Sequence, residues 1–382
     1  MVSETSGDSR VVVVGAGVGG LAAAIRLRAL GHHVSIFERN EVVGGKLATY
    51  ERDGYTFDIG PSLVTLPHVF DEVFRAAGTT LDEQVDLVRL DPQFSYVWDD
   101  GSSLIVPDGD DDTAAAFEAF APGAGGQWRA FDARGRRIWD VADRTFFAGP
   151  MSNPLALAKR MRSPFDLAAI DPMRTLQRSA ESFFDDPRLV QWAGRYATYS
   201  GSSPYAAPAT LACIPHVEAR FGCWYPLGGL DALRAAFERV ARNSGVEIHT
   251  GTDVARIMAD PEGSVAGVEL VDGSVDRADI VIANTDAEHL YADLLPDAAA
   301  LKRVRRAKRS TSGFVICIGA RGLSAGLQHH NVWFSPSYRD EYDQLDAGRV
   351  ADEPTIYACV SSVTDTSQAP DGCENWFLLV NT

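Results

Sequence analysis

Gly15, Gly17 and Gly20 follow the apolar run Val11-Val12-Val13-Val14 and precede an Ala/Leu/Arg-rich stretch that Gly31 is placed to stop. A strand that turns through such glycines into a helix offers backbone N–H groups and a partial positive charge to a phosphate. Gly15 permits the tight turn, Gly17 lets a pyrophosphate approach bare backbone, and Gly20 lets helix and strand pack closely; Ala16 and Gly19 complete the loop. The spacing alone leaves NAD, FAD, another phosphate ligand or an empty glycine turn open.

Three further features narrow the choice. Glu38 ends the next apolar run, HVSIFE, eighteen residues after Gly20. A carboxylate there accepts hydrogen bonds from both ribose hydroxyls and repels a 2′-phosphate, which disfavours NADP. Arg39 beside it is placed either to stack along an adenine or to be a surface arginine. Gly44-Gly45-Lys46 then brings a second bare backbone, and a cation, to where the pyrophosphate would lie; a simple NAD-binding unit needs no such second pair. In Phe57-Asp58-Ile59-Gly60-Pro61-Ser62, Gly60 and Pro61 fix an extended turn whose backbone, with Ser62, can line a flat ring system. Asp58 reads as a structural hydrogen-bonding residue rather than a catalyst. Together these tilt the cofactor toward FAD.

The elements that must position these residues are a βαβ unit over residues 10–60, with VVVV and HVSIFE as strands around one helix. Residues 64–225 are less regular, with helical segments such as FDEVFRAAG and a hairpin in FSYVWDDGSSLIV. LGGLDALRAAFERVARNSG predicts an amphipathic helix, GSVAGVELVDGSVDRADIVIANTD a hairpin around Asp272-Gly273 followed by an apolar strand, and GFVICIGA, TIYACVSSV and NWFLLV further strands.

The chain has 382 residues, 46% of them hydrophobic, and a net charge of -17. That composition supports a large core and makes nucleic acid a poor partner. Five cysteines without CxxC spacing read as reduced thilos of a cytoplasmic protein. MVSETSGDSR lacks the positive flank of a signal peptide, and no run is long enough to span a membrane.

The segments VVVVGAGVGGLAAAIRL, FERNEVVGGK and YTFDIGPSLVTLPHVF, in that order, resemble the FAD-dependent carotenoid desaturases, part of the flavoprotein group that also holds the amine oxidases. RYATYSGSSPYAAPATLACIPHVEA, YPLGGLDALRAAFERVA and TDTSQAPDGCEN extend the resemblance over nearly the whole chain. LVTLPHVFDEVF and RYATYSGSSPY are similar to the hydroxycarotenoid 3,4-desaturase (methoxyneurosporene dehydrogenase) branch, and somewhat less to phytoene desaturases. The resemblance implies an α/β fold: a Rossmann-like FAD-binding domain of the glutathione-reductase, amine-oxidase-like type over residues 8–70 and 226–300, and an inserted helical and mixed-sheet substrate domain over 71–225 and 301–382. It implies that the backbone of Val254, in GTDVARI, pairs with adenine, and that Gly228-Gly229 starts a helix near the flavin half.

The implied activity is FAD-dependent desaturation of a carotenoid C–C bond by hydride transfer to flavin. The partners would be an apolar polyene, a membrane surface, and oxygen or a quinone as electron acceptor. The location would be the cytoplasm, peripheral on the inner face of the cell membrane. Conjugation along a polyene spreads developing charge, so the protein mainly positions the chain and excludes water, and no catalytic acid or base is named. A phytoene desaturase or polyene isomerase, an amine oxidase-like flavoenzyme and a truncated non-catalytic subunit are the competing readings. The family's glycine/proline-rich motif that closes over the flavin has no counterpart before Thr382. A fragment, or a flavin site completed some other way, is therefore expected.

Other motifs carry less. Asp108-x-Asp110-x-Asp112 fails the EF-hand pattern at Thr113 and Ala119 and reads as a solvated turn. His32-His33 and His329-His330 are adjacent pairs without zinc-site spacing, so no metal is expected. Trp192 to Tyr205 lines an apolar channel or belongs to the core. PMSNPLALAKRMRSPFDLAAI, Pro150 to Ile170, is either an anchor lying in a membrane interface or a surface helix pair broken at Pro164.

Overall fold

A computed structural model describes residues 8–149 and 154–382. The chain divides into two units: residues up to Val88 with Tyr225–Arg309, and Arg89–Trp224 with Ser310–Thr382.

The first unit is built on a four-stranded parallel sheet, in the order Ile280–Ala283, Arg10–Val14, His33–Phe37, Glu247–His249. The valine run needs no alternation because the strand is covered on both faces. Val12 and Val14 pack with Val254, Ile257 and Val268 of a three-stranded antiparallel sheet (Val254–Ala259, Val265–Leu270, Val275–Arg277). Val13, fully buried, meets the helix Val18–Ala29 at Gly20. Each such valine stabilises the fold by about 1.5–3 kcal/mol. The strands Glu247–His249 and Val254–Ala259 follow one another in the chain but join different sheets.

The helix Val18–Ala29 ends as the chain turns through Gly31 at φ 94°. A second helix, Leu230–Asn243, buries Leu233, Ala236, Phe237 and Val240 on one face. The helix Pro67–Ala76 packs Phe74 against Phe237, ring centroids 5.0 Å apart. Residues 71–88 and 301–309 fall in this unit, whereas the sequence reading assigns them to the other; Arg239 donating to Gln84 and the Leu227 N–H donating to Asp86 O add to the Phe74 contact.

The second unit has a six-stranded sheet in the order Gly313–Arg321, Cys373–Asn381, Ile356–Cys359, His330–Trp333, Phe94–Val97, Ser103–Val106. All neighbours are antiparallel except His330–Trp333 with Phe94–Val97. The last pair is the hairpin read from FSYVWDDGSSLIV. The helices Asp110–Phe120, Ala124–Ala142 and Pro187–Gly194 enclose an aromatic core, in which Phe117 meets Trp192 edge-on at 4.9 Å. Trp192 and Tyr196 are core residues, so the channel reading of that segment does not hold for them. Asp110, Asp111 and Asp112 form the first turn of a helix, where carboxylates favour the dipole.

Arg195 is buried among Phe94, Tyr96 and Tyr196 and donates to the Tyr96 hydroxyl at 2.9 Å. Glu218, also buried, accepts from the Tyr196 hydroxyl at 2.8 Å and from Tyr199. Burial pushes the Glu218 carboxyl up, and the Arg195 charge pulls it back.

Among the described residues no disulfide forms, and no helix is long and apolar enough to cross a membrane.

Candidate cofactor site

The first glycine turn sits where the parallel strand Arg10–Val14 hands over to the helix Val18–Ala29. Gly15 takes φ 96°, a conformation costly for any side chain, and its N–H donates to the Phe37 carbonyl at 2.8 Å. Gly17 is the helix N-cap; no side chain caps it and no acidic residue occupies the first turn. The leading N–H groups of a helix have no intrahelical acceptor, so this end suits an anion.

The glycines are also required by the protein itself. A Cβ on Gly20 would lie 2.2 Å from the Gly15 carbonyl oxygen, and one on Gly15 would lie 2.6 Å from that of Asn284. Asn284 follows the strand Ile280–Ala283 and donates its backbone N–H to Val14 O at 2.8 Å. Its side-chain Nδ2 donates to Gly15 O at 3.3 Å. This residue, which the sequence reading missed, packs against the whole turn.

The second glycine pair is locked to the first. Gly44 donates its N–H to Ala16 O at 2.8 Å and bridges to Gly17. A Cβ on Gly45 would come within 3.1 Å of the Gly17 Cα. Gly60 presses on the Lys46 carbonyl, where a Cβ would lie only 1.8 Å away.

Glu38 is buried at the end of its strand. Oε2 accepts from the Ala16 N–H at 2.8 Å; Oε1 accepts from the Asn40 N–H at 3.0 Å and from Asn40 Nδ2 at 2.7 Å. The carboxylate therefore ties the glycine turn to the loop after the strand while facing the same cavity.

That cavity has a volume of about 730 Å³, within the range for a cofactor site. Gly15, Gly17, Gly19, Glu38, Arg39, Gly44, Gly45, Lys46, Pro61 and Val254 line it. Ala16, Gly20, Gly60 and Ser62 are not in the lining: Ala16 and Gly20 are buried in the turn behind it, and Gly60 packs on the Lys46 backbone. Besides Asn284, the sequence reading missed Asn40, Thr252, Asp253, Thr285 and Asp286. The available signal was Asn284-Thr285-Asp286 directly after the apolar strand ending at Ala283, because ligands in open parallel sheets gather at carboxyl ends of strands. Bare backbone, an uncapped helix end, a buried carboxylate and the cations Arg39 and Lys46 suit the ADP half of FAD.

Asp58 stands behind the site. Both carboxylate oxygens accept from the Leu230 N–H at 3.0 Å, capping a helix whose N-cap, Gly229, has no side chain. Burial raises its pKa from 3.8 to about 6, against the opposing backbone hydrogen bond from Leu230. The folded chain thus holds a proton that the unfolded chain releases at lower pH. This contribution to stability is full below about pH 4 and is lost as pH rises through about 6, a change of about 3 kcal/mol. Asp58→Asn removes it. In urea melts, the stability of the variant relative to wild type should rise by up to that amount between pH 4 and pH 7; a difference independent of pH would contradict the assignment.

Comparison with known proteins agrees with the site. The pattern of the flavin-containing amine oxidoreductase family matches residues 18–320. A zeta-carotene-forming phytoene desaturase of Myxococcus xanthus is 37% identical, over 99% of this chain and 73% of its own length. A hydroxyneurosporene desaturase of Cereibacter sphaeroides is also 37% identical, over 97% and 75%. A 4,4'-diapolycopene oxygenase of a Methylomonas species is 34% identical, over 96% and 74%. Among solved structures, an oxidoreductase from Methanosarcina mazei shares the fold with a TM-score of 0.66 at 21% identity, over 98% of this chain and 79% of that one. The chain belongs to the flavin-containing amine oxidoreductase family, in its group of carotenoid desaturases and oxygenases. FAD is its cofactor.

Proposed function

We propose that this chain desaturates a carotenoid, removing two hydrogens from adjacent carbons of an apolar polyene. The observation that carries the reading is the extent of the likeness: the 37% identity to the hydroxyneurosporene desaturase runs over 97% of the chain, well beyond the glycine turns. A second feature supports it. Phe314, Ile316 and Ile318, alternate residues of the edge strand Gly313–Arg321, form an exposed apolar row, and a nine-residue strand is roughly 30 Å long. Such a row suits an extended hydrocarbon better than a polar amine.

FAD, when bound, supplies the two-electron acceptor for the hydride. The chain's own part is to hold that group: the uncapped helix end and Gly44-Gly45 would take the pyrophosphate, Lys46 would add a cation, Glu38 would take the ribose hydroxyls, and Val254 would pair with the adenine. Pro61, Leu63 and Val64 add an apolar wall to the cavity. The acceptor of the flavin's electrons would be oxygen or a quinone.

We also propose that the chain works at the inner face of the cell membrane. Phe165 is 81% exposed, with Leu155 and Leu167 also outward, in a segment that carries Lys159, Arg160 and Arg162; Met173, just after that segment, is 93% exposed. Pro150–Asn153, the start of the anchor read from the sequence, lie outside the described residues. Co-sedimentation with anionic vesicles should fall about tenfold in Phe165→Glu/Leu167→Glu; unchanged binding would remove this segment as the anchor.

The function is tested by expressing the chain in cells that accumulate phytoene, neurosporene or hydroxyneurosporene. A longer conjugated chromophore in one of them is expected. A product gaining oxygen without longer conjugation would favour the oxygenase reading, to which the Methylomonas relative points. No pigment change in any strain would contradict the proposal.

A further inference from the structure

His329, His330 and Cys359 converge inside the second unit. All three are buried, and the atoms they can offer a cation lie within 4.8 Å of one another. The sheet brings them together: His330 and Cys359 are register partners on the antiparallel strands His330–Trp333 and Ile356–Cys359, and the His329 carbonyl accepts the Val360 N–H at 2.8 Å.

Each imidazole is oriented by a hydroxyl at its Nδ1, Thr364 Oγ1 for His329 and the Tyr357 hydroxyl for His330, both at 2.8 Å. Metal-binding histidines are held in this way through the nitrogen that does not bind the metal. His330 is further fixed by stacking on Phe94, centroids 4.9 Å apart. Its Nε2 is buried without a hydrogen-bond partner, a costly condition that a cation would relieve.

We propose that His329, His330 and Cys359 form a buried site for one late first-row divalent cation, with zinc as the representative ion. Two imidazoles and a thiolate are a borderline-soft donor set suited to such ions. Ligand atoms on a tetrahedral zinc sit roughly 3.3–3.8 Å apart, so closing the widest pair takes a shift of about 1 Å. Binding takes the proton from the Cys359 thiol and releases it to solvent, with no change of oxidation state. The thiolate offsets one of the two positive charges, and buried Asp365 acts electrostatically on His329 in the same sense, while buried Arg195 acts against it at His330. The ion would clip the strand pair at the middle of the sheet, a structural role separate from the flavin cradle.

The test uses the untagged whole chain, stripped with a chelator and then loaded with Zn²⁺ or Co²⁺. About one equivalent of zinc should survive desalting, and the cobalt form should show a thiolate-to-metal charge-transfer band. Cys359→Ser should lose that band, His330→Gln should lose most of the metal, and the surface control His33→Asn should lose neither. If the variants fail to fold, the wild-type cobalt spectrum decides. Zinc retention below about a tenth of an equivalent, a cobalt spectrum without the thiolate band, or a band that survives in folded Cys359→Ser would overturn the proposal.

Discussion

Gly20→Ala is expected to abolish flavin binding and to lower stability by about 3 kcal/mol or more. The added methyl would stand 2.2 Å from the Gly15 carbonyl oxygen and 3.0 Å from Asn284 Nδ2. The first is backbone within the turn itself, so relief requires the helix to move away from the strand that carries the cradle. Gly19→Ala provides the contrast. Its methyl would meet Asn284 Oδ1 at 2.9 Å, the end of a side chain that can rotate. Gly126→Ala is a helical control with open space around the new methyl. Thermal melts and flavin content after denaturation should rank the three, with Gly20→Ala far below the others. Equal flavin content in Gly20→Ala and Gly19→Ala would show that the turn tolerates a displacement the geometry forbids.

Glu38→Ala should weaken FAD binding by about a hundredfold, the equivalent of losing one charge-assisted hydrogen bond of 1.5–3 kcal/mol together with order in the turn. The carboxylate holds the Ala16 and Asn40 N–H groups while facing the cavity, so its removal loosens the cradle and deletes the proposed ribose partner together. Glu38→Gln keeps the volume but has only one carbonyl oxygen, so Ala16 or Asn40 loses its acceptor. An intermediate loss, about tenfold, is expected. Titration of the flavin-free protein by flavin fluorescence measures both. FAD affinity unchanged in both variants would remove Glu38 from the site.

The sequence made the cradle legible because its parts are local. Glycine spacing, a preceding valine strand and a carboxylate at the end of the next strand are all read within the first sixty residues. The far wall was not legible. Asn284 reaches the turn only because the strand Ile280–Ala283 pairs with Arg10–Val14, a long-range choice that no local pattern encodes. Gly60 looked like part of a ring-lining turn because its glycine was unexplained; the explanation is the Lys46 carbonyl against it. The His329–His330–Cys359 group was invisible for the same reason as Asn284. Metal motifs in sequence depend on fixed spacing, and here strand register supplies the third residue. The assignment of residues 71–88 turned on long-range contacts that no local pattern shows: Phe74 on Phe237, Arg239 donating to Gln84, and the Leu227 N–H donating to Asp86 O.

On the proposed function, the cradle holds a flavin that oxidises a polyene. Anaerobic mixing of the FAD-loaded protein with neurosporene or hydroxyneurosporene in detergent, followed by absorbance, addresses it most directly. The flavin band should bleach as the polyene spectrum shifts to longer wavelength, one polyene bond for each flavin. Bleaching by an amine such as putrescine with no response to any polyene would contradict it.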